Sequence, residues 1–353
     1  MIPDDVAAAW GWRAEQIAPL QGGLINATYV VRDGGEAIAV LQRLHRIFGA
    51  DVNLDLEAVT AHLAARGMTT PRLIRTLDGR PCIDYSAPPF GGAASPGKAR
   101  LVDDGGVWRA TTFVAGDSVA TVPDPSWADA GGELVGRFHR AVADLHYDYR
   151  FTRAGVHDTA AHLARLQGHA GSGGEAEATE LAREILAAAV ALPELVAQPL
   201  RHVHGDLKIS NLLFARDPLR GVALVDLDTL ANGTLAFELG DAMRSWCNPH
   251  GEDVGHVALD LPIFSAAIAG FRRIADPIVT EAERAAVAVG LETVCIELAA
   301  RFCTDVFEDR YFGWDPARFP SRRAHNLVRA RGQLVLGHAV RTARAELREI
   351  LLG

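Results

Sequence analysis

Cysteine is scarce. The 353 residues hold four, Cys82, Cys247, Cys295 and Cys303, far apart and with no Cys-x-x-Cys pair. That spacing argues against a zinc ribbon or a disulfide framework and suits reduced thiols in a cytoplasm. Long apolar runs are missing too. Hydrophobic residues make up 49% of the chain, yet charges interrupt them before any stretch could span a bilayer. The N-terminus, "MIPDDVAAAWGWRAEQ", has acids where a signal peptide needs basic residues. Nor is there a basic excess: the formal charge is −9, so neither a nucleic acid nor an anionic membrane is expected as a partner. A small local basic pocket for phosphate stays compatible with that balance. The expectation is a cytoplasmic protein with enough apolar residues for a substantial core, and with a length that suits two lobes. No oligomeric state is indicated.

What is present changes along the chain. "LINATYVVRDGGEAIAVLQRL" shows two alternating runs around Asp-Gly-Gly, a hairpin signal. "NLDLEAVTAHLAARG" is amphipathic with a glycine stop and predicts a helix. "RLIRTLDGRPCI" and "VWRATTFVAG" predict further strands, separated by the Pro/Gly/Ser-rich "SAPPFGGAASPGKAR", which predicts a mobile loop. From about Asp117 the patterns turn helical, as in "WADAGGELVGRFHRAVADLH" and "ELAREILAAAVALPELVAQ", with "GHAGSGGEAE" as a linker. Strand character returns in "RHVHGDLKISNLLFARDPLRGVALVDLDTL", after which helices run to the end. This predicts a β-rich lobe over residues 1–116, a hinge at Phe113 to Gly116, and a helical lobe over residues 117–353.

The stretch "HVHGDLKISNLLF" gathers polar groups at the mouth of a strand. Two chemistries compete for it. His202-x-His204-x-Asp206 has the spacing of a metal-dependent hydrolase. However, Leu207 stands where a metallo-β-lactamase needs a further histidine, no barrel-like alternation precedes it, and His250 and His256 fit no ligand spacing. Phosphoryl transfer accounts for more residues. It needs a carboxylate to take the proton of the attacking hydroxyl, an amide or carboxylate for one magnesium, and a second carboxylate beyond it. Asp206, Asn211 and Asp226 supply that set. "HGDLKISN" matches the kinase pattern His-x-Asp-x-x-x-x-Asn, with Lys208 two residues after the aspartate. "LVDLD" is an apolar strand ending in acids, with Leu227 and Asp228 where protein kinases have Phe-Gly.

These segments resemble the aminoglycoside phosphotransferase and choline kinase superfamily. The finer similarity is to N-acetylhexosamine 1-kinases, through "GGLINATYVV", "VLQRLHRIF", "VTAHL", "WRATTFV", "GRFHRAVADL", "VHDT", "VDLDT", "LGDAMR", "RFCTDVFEDRYF" and "HNLVRARGQLVL", spread over about residues 22 to 335. The resemblance implies an α+β, bilobal protein-kinase-like fold, with ATP and Mg2+ as cofactors and a sugar or other small hydroxyl compound as partner. It implies Asp206 as base with Lys208 on the phosphoryl group, and Asn211 and Asp226 on metal, with Asp228 in metal binding or in structure. Gly23, Asn26, Thr28, Arg43, Glu57 and the hinge residues Phe113 and Val114 fall to the nucleotide. Arg43 stands in for the usual strand lysine and pairs with Glu57. Asp241 is expected to hold the catalytic loop. Candidates for the acceptor are His157, Asp158, Arg301, Asp305 and Tyr311. The implied reaction is phosphorylation of an N-acetylhexosamine at its anomeric hydroxyl. An aminoglycoside- or choline-type acceptor stays open, the latter with Trp246 and Trp314 available for an aromatic cage. A non-catalytic nucleotide-binding module stays open as well, because the strand lysine and the full glycine loop are missing.

Overall fold

The computed structural model describes residues 2–20, 26–85, 106–153, 155–171 and 176–353. The chain divides into two compact units. One is Met1–Ala115 with His146–Phe151; the other is Gly116–Leu145 with Thr152–Gly353.

The first unit contains α1 (Asp4–Ala9), β1 (Ile17–Pro19), β2 (Ala27–Asp33), β3 (Glu36–Arg43), α2 (Val52–Ala65), β4 (Leu73–Ile74), β5 (Ile83–Asp84) and β6 (Val107–Thr112). The strands form one antiparallel sheet in the order β1-β2-β3-β6-β4, with β5 also on β6. The expected hairpin is β2–β3, and it turns at Gly34 and Gly35, whose φ values of 56° and 94° suit glycine. The Asp78-Gly79 turn also forms, with Gly79 N donating to Thr76 O at 2.8 Å. Its flanking strands do not pair with each other; both pair with β6. The segment "SAPPFGGAASPGKAR" lies outside the described residues.

Side-chain alternation gives this sheet two unlike faces. Tyr29, Leu41, Trp108 and Ala110 pack with Val6 of α1 and with Trp10, which follows it, in one apolar cluster. Large side chains buried this way each contribute about 1.5–3 kcal/mol. On the other face Val107 packs with Leu44 and with Val52 of α2. Residues 146–151 join this unit through Asp55 of α2. Its buried carboxylate accepts from Tyr147 Oη at 2.7 Å and from the amides of Arg150 and Phe151 at 2.9 Å each.

The second unit contains α3 (Pro125–Val142), α4 (Thr159–Ala170), α5 (Ala176–Val190), β7 (Arg201–Val203), β8 (Leu212–Arg216), β9 (Leu219–Leu224), β10 (Ala231–Gly233), α6 (Leu235–Trp246), α7 (Leu261–Ala275), α8 (Glu281–Glu308) and α9 (Arg322–Leu352). Helix starts follow capping chemistry. Asp124 caps α3 ahead of Pro125, and Thr280 with Glu283 forms a capping box on α8. The helix predicted through "ALPELVAQ" stops at Val190; the residue before Pro193 is biased away from helix. Helix α8 meets α4, α5, α6 and α9, and Ile185, Ile296, Phe302 and Leu334 from these helices share a core. Two small hairpin-like pairs, β7–β10 and β8–β9, carry the polar stretch singled out above. Among the described residues, no helix is long and apolar enough to cross a membrane.

Candidate active site

The loop from His204 to Asn211 links β7 to β8 and is held from several sides. Gly205 has φ 79°, and a Cβ there would lie 2.5 Å from Thr229 O. The position therefore requires glycine for both conformation and space. Glu238 on α6, 4% exposed, accepts from His204 N at 2.8 Å and from Gly205 N at 2.9 Å. Thr229 Oγ1 donates to His204 O at 2.7 Å, and Trp246 Nε1 donates to Leu207 O at 2.7 Å. The sequence pointed to Asp241 as the residue holding this loop, but Glu238, one helical turn earlier, is the one that does so. Asp241 instead accepts from Arg244 at 2.8 Å. A lone acid in the apolar run "TLAFELG" was the available signal for Glu238. Trp246 is 1% exposed beneath the loop, so it is not a wall of an aromatic cage.

Both histidines turn to backbone carbonyls. His202 Nε2 lies 2.8 Å from Leu145 O, and His204 Nε2 lies 3.0 Å from Val225 O. His204 Nδ1 accepts from Asp206 N at 3.3 Å, so Nε2 carries the proton. Burial lowers the His204 pKa against the pull of Glu238 and Asp206, which keeps the ring neutral. These bonds engage the imidazole nitrogens that a metal cage would need.

Next on the loop, Asp206 Oδ2 accepts from Lys208 Nζ at 2.9 Å and from Asn211 Nδ2 at 3.1 Å. Asn211 Nδ2 also donates to Asp206 O at 2.8 Å. Asn211 O accepts from Val225 N at 2.9 Å, which places the next residue, Asp226, beside the loop. Asp226 has φ 62° and ψ 54°, a left-handed conformation that is costly without glycine. Burial works against the Lys208 charge, but Asp206, and with it Asp226 and Glu252, outweighs burial and raises its pKa. Asp228 is 1% exposed within the turn Leu227–Thr229. The structure thus brings Asp206, Lys208 and Asn211 into direct contact with Asp226 alongside, and buries Asp228. With its nitrogen turned to Asp206, the Asn211 amide has its oxygen turned away. Together with the Asp226 carboxylate this is an oxygen donor set, the kind a hard divalent cation takes.

The acceptor candidates separate into two groups. His157 Nδ1 lies 3.2 Å from Glu297 Oε1, and its ring stacks on Phe237 at 4.7 Å. Arg301 Nη1 lies 3.9 Å from the same Glu297 oxygen. Burial raises the Asp241 pKa, but Arg244 first, then His157 and Arg301, overcome it and lower the value. His157 and Arg301 thus meet at Glu297, and Asp241 and Glu252 meet at Arg244. Asp158 and Asp305 make structural bonds. Asp158 caps α4 by accepting from Ala161 N at 3.0 Å. Asp305 Oδ1 accepts from the amides of Arg310 and Tyr311, and Oδ2 accepts from Phe312 N and Asn326 Nδ2, all within 2.8–3.0 Å. Tyr311 is exposed and its hydroxyl accepts from Arg153 at 3.0 Å.

In the first unit, Gly23 lies outside the described residues. Asn26, 7% exposed, accepts from His45 N at 2.8 Å through Oδ1. Thr28 pairs with Gln42 across β2–β3. Arg43 pairs with Trp108, in the register of the face covered by α1. Glu57 takes a two-pronged bond from Arg75, at 2.8 and 2.6 Å, a partner that the sequence pattern did not suggest. Phe113 and Val114 follow directly on β6, and Phe113 N donates to Ile38 O at 3.2 Å.

Solved structures similar to this one include small-molecule kinases. A microcompartment-associated aminopropanol kinase aligns over 97% of both chains with a TM-score of 0.66 and 17% identity. An amicoumacin kinase bound to AMP-PNP, Ca2+ and amicoumacin aligns over 95% of this chain and 91% of its own, TM-score 0.61, 14% identity. A choline/ethanolamine kinase family protein from Mesorhizobium loti covers 99% and 97%, TM-score 0.57, 15% identity. The fold is therefore the expected α+β kinase-like one. In sequence, the model of the phosphotransferase enzyme family matches residues 16–273, and the chain belongs to that family. A homoserine kinase from Granulibacter bethesdensis is 28% identical over 297 residues, 83% of this chain and 79% of that protein.

Proposed function

We propose that the chain transfers the γ-phosphoryl group of ATP to a hydroxyl of a small molecule. The observation that carries this reading is the shared bonding of Asp206 to Lys208 and Asn211, with Asp226 alongside. In this reading Asp206 orients the acceptor hydroxyl and takes its proton as the bond to phosphorus forms. Lys208, held charged beside it, offsets charge on the transferred group. Asn211 and Asp226 hold Mg2+, which when bound neutralises the phosphate oxygens. The neighbour bound to AMP-PNP and Ca2+ supports use of ATP with a divalent cation. Asn26 and Thr28, with the hinge residues Phe113 and Val114, take the nucleotide. Most of the rate then comes from positioning and from preset charge.

For the acceptor, the reading is an N-acetylhexosamine phosphorylated at its anomeric hydroxyl. Its support is the run of similar segments along the chain and the meeting of His157 and Arg301 at Glu297, donors and an acceptor that suit sugar hydroxyls. A second reading, an amino-alcohol acceptor, draws on the homoserine kinase relative.

ADP release measured with hexosamines, homoserine, amino alcohols and aminoglycosides tests both readings. Release stimulated by N-acetylhexosamines supports the sugar reading, and release confined to homoserine or amino alcohols replaces it with the second. Asp206→Asn should lower turnover by about 10²-fold or more while ATP binding survives. No stimulated release with any acceptor, despite tight ATP binding, would favour a non-catalytic nucleotide-binding module.

A further inference from the structure

The second unit buries a carboxylate that no motif singled out. Glu297 lies on α8, one turn before Arg301, and is 1% exposed. A carboxylate this deep is costly unless donors reach it. Thr159 Oγ1 donates to its Oε2 at 2.7 Å, and His157 Nδ1 lies 3.2 Å from its Oε1. These two residues stand where the chain enters α4, on either side of the capping residue Asp158. Arg301 Nη1 stays at 3.9 Å from Oε1, too long for a hydrogen bond.

The His157 ring is held from a second side as well. It lies 8° from the plane of the Phe237 ring, with centroids 4.7 Å apart. Phe237 belongs to α6, where the next residue, Glu238, accepts from the amides of His204 and Gly205. Helix α6 is itself set against α8: a Cβ at Gly290 would lie 2.1 Å from Ala236 O, so only glycine permits that approach. Residues of α6 and α8 and the entry to α4 thus fix the plane of one imidazole. The His157 side chain remains 27% exposed, while Glu297 is closed to solvent.

The bond to Glu297 decides the tautomer. A carboxylate oxygen accepts, so Nδ1 is the nitrogen that carries the proton, and in the neutral ring the lone pair is then on Nε2. Among the described residues, Nε2 has no hydrogen-bond partner. We infer that Glu297 is a positioning residue for the acceptor: it keeps the His157 proton on Nδ1 and so presents Nε2 to a substrate hydroxyl as a hydrogen-bond acceptor. The inference rests on the acceptor reading above, in which His157 meets the sugar.

The test has two arms, both on the full chain. Imidazole nitrogen chemical shifts of isotope-labelled protein, recorded at a pH where the ring is neutral and assigned with His157→Gln, show which nitrogen is protonated. The wild type is expected to carry the proton on Nδ1. Glu297→Gln should move it to Nε2, because the amide can keep its oxygen for Thr159 and donate to Nδ1. The second arm is steady-state ADP release with N-acetylglucosamine. Glu297→Gln should raise the acceptor KM about tenfold and leave the ATP KM within about twofold. In a His157→Gln background the same substitution should add less than about twofold, because its effect runs through His157. A wild-type ring protonated on Nε2, an unchanged acceptor KM in Glu297→Gln, or additive losses in the double variant overturns the inference. The wild-type spectrum decides without any Glu297 variant, should that variant fail to fold. If His157→Gln alone leaves the acceptor KM unchanged, the placement of His157 at the acceptor fails, whatever the tautomer.

Discussion

Asn211 Nδ2 reaches both the backbone oxygen of Asp206, at 2.8 Å, and its carboxylate, at 3.1 Å. One amide therefore sets the loop geometry and the direction of the base together. Asn211→Ala should lower turnover by about 10²-fold and cost only about 1 kcal/mol of stability. Asn211→Asp is more informative. It keeps an oxygen for metal but places a second carboxylate against Asp206, and like charges raise the pKa of one of the pair. The acid limb of its pH–rate profile should move to higher pH. A limb at the wild-type position would remove Asp206 as the base.

Asp226 occupies a left-handed conformation two residues after the end of β9, which sets the direction of its Cα–Cβ bond. Asp226→Asn keeps the shape and removes the charge. The Mg2+ concentration needed for half-maximal activity should rise about tenfold or more, while adenosine binding stays unchanged. The check is a metal titration at saturating ATP. An unaltered midpoint would assign metal binding elsewhere.

How legible the site was depended on how local its determinants are. Asp206, Lys208 and Asn211 come from one short loop, so spacing alone announced their contact. The β2–β3 hairpin was legible for the same reason: Gly34 and Gly35 mark a turn between alternating runs. Glu238 was missed because its partners, the amides of His204 and Gly205, are more than thirty residues away, and a backbone donor leaves no mark on the sequence. The bonding of Asp305 is hidden for a similar reason: an acid within a motif reads as a ligand contact, and its four bonds go to a loop and to Asn326. The face of Arg43 needed the register of three strands. Neighbours in sequence, such as Gln42 and Arg43, point to opposite sides of the sheet.

His204 contributes to the pH dependence of stability. Burial holds its pKa below the ordinary 6.5, so the unfolded chain binds this proton more readily than the folded one. Stability is then fully present above about pH 6.5 and falls as the pH drops below it. Glu238 has the other window. Burial would raise its pKa, but His139 and the other partners lower it below 4.5, so its contribution is lost only in stronger acid. Melting temperatures between pH 8 and pH 5 should decline in the wild type and decline less in His204→Gln. Equal slopes would mean that another group governs this range.

Arg301 and Asp305 lie four residues apart on α8 and, as candidates for the acceptor, invite the same substitution test, but the outcomes should differ in kind. Asp305 accepts four hydrogen bonds while 2% exposed. Asp305→Ala leaves three backbone amides and the Asn326 amide without that partner, so destabilisation of about 3 kcal/mol or more is expected. Any rise in acceptor KM should then accompany a lower melting temperature. Arg301 lies 3.9 Å from Glu297, which His157 also meets, and its guanidinium lies 5.8 Å from the Phe312 ring. Arg301→Ala should leave the melting temperature nearly unchanged and raise acceptor KM about tenfold, with the KM for ATP unaltered. If Arg301→Ala instead lowered stability and left acceptor KM alone, recognition would have to come from Asp241, Glu252 and His157 without it.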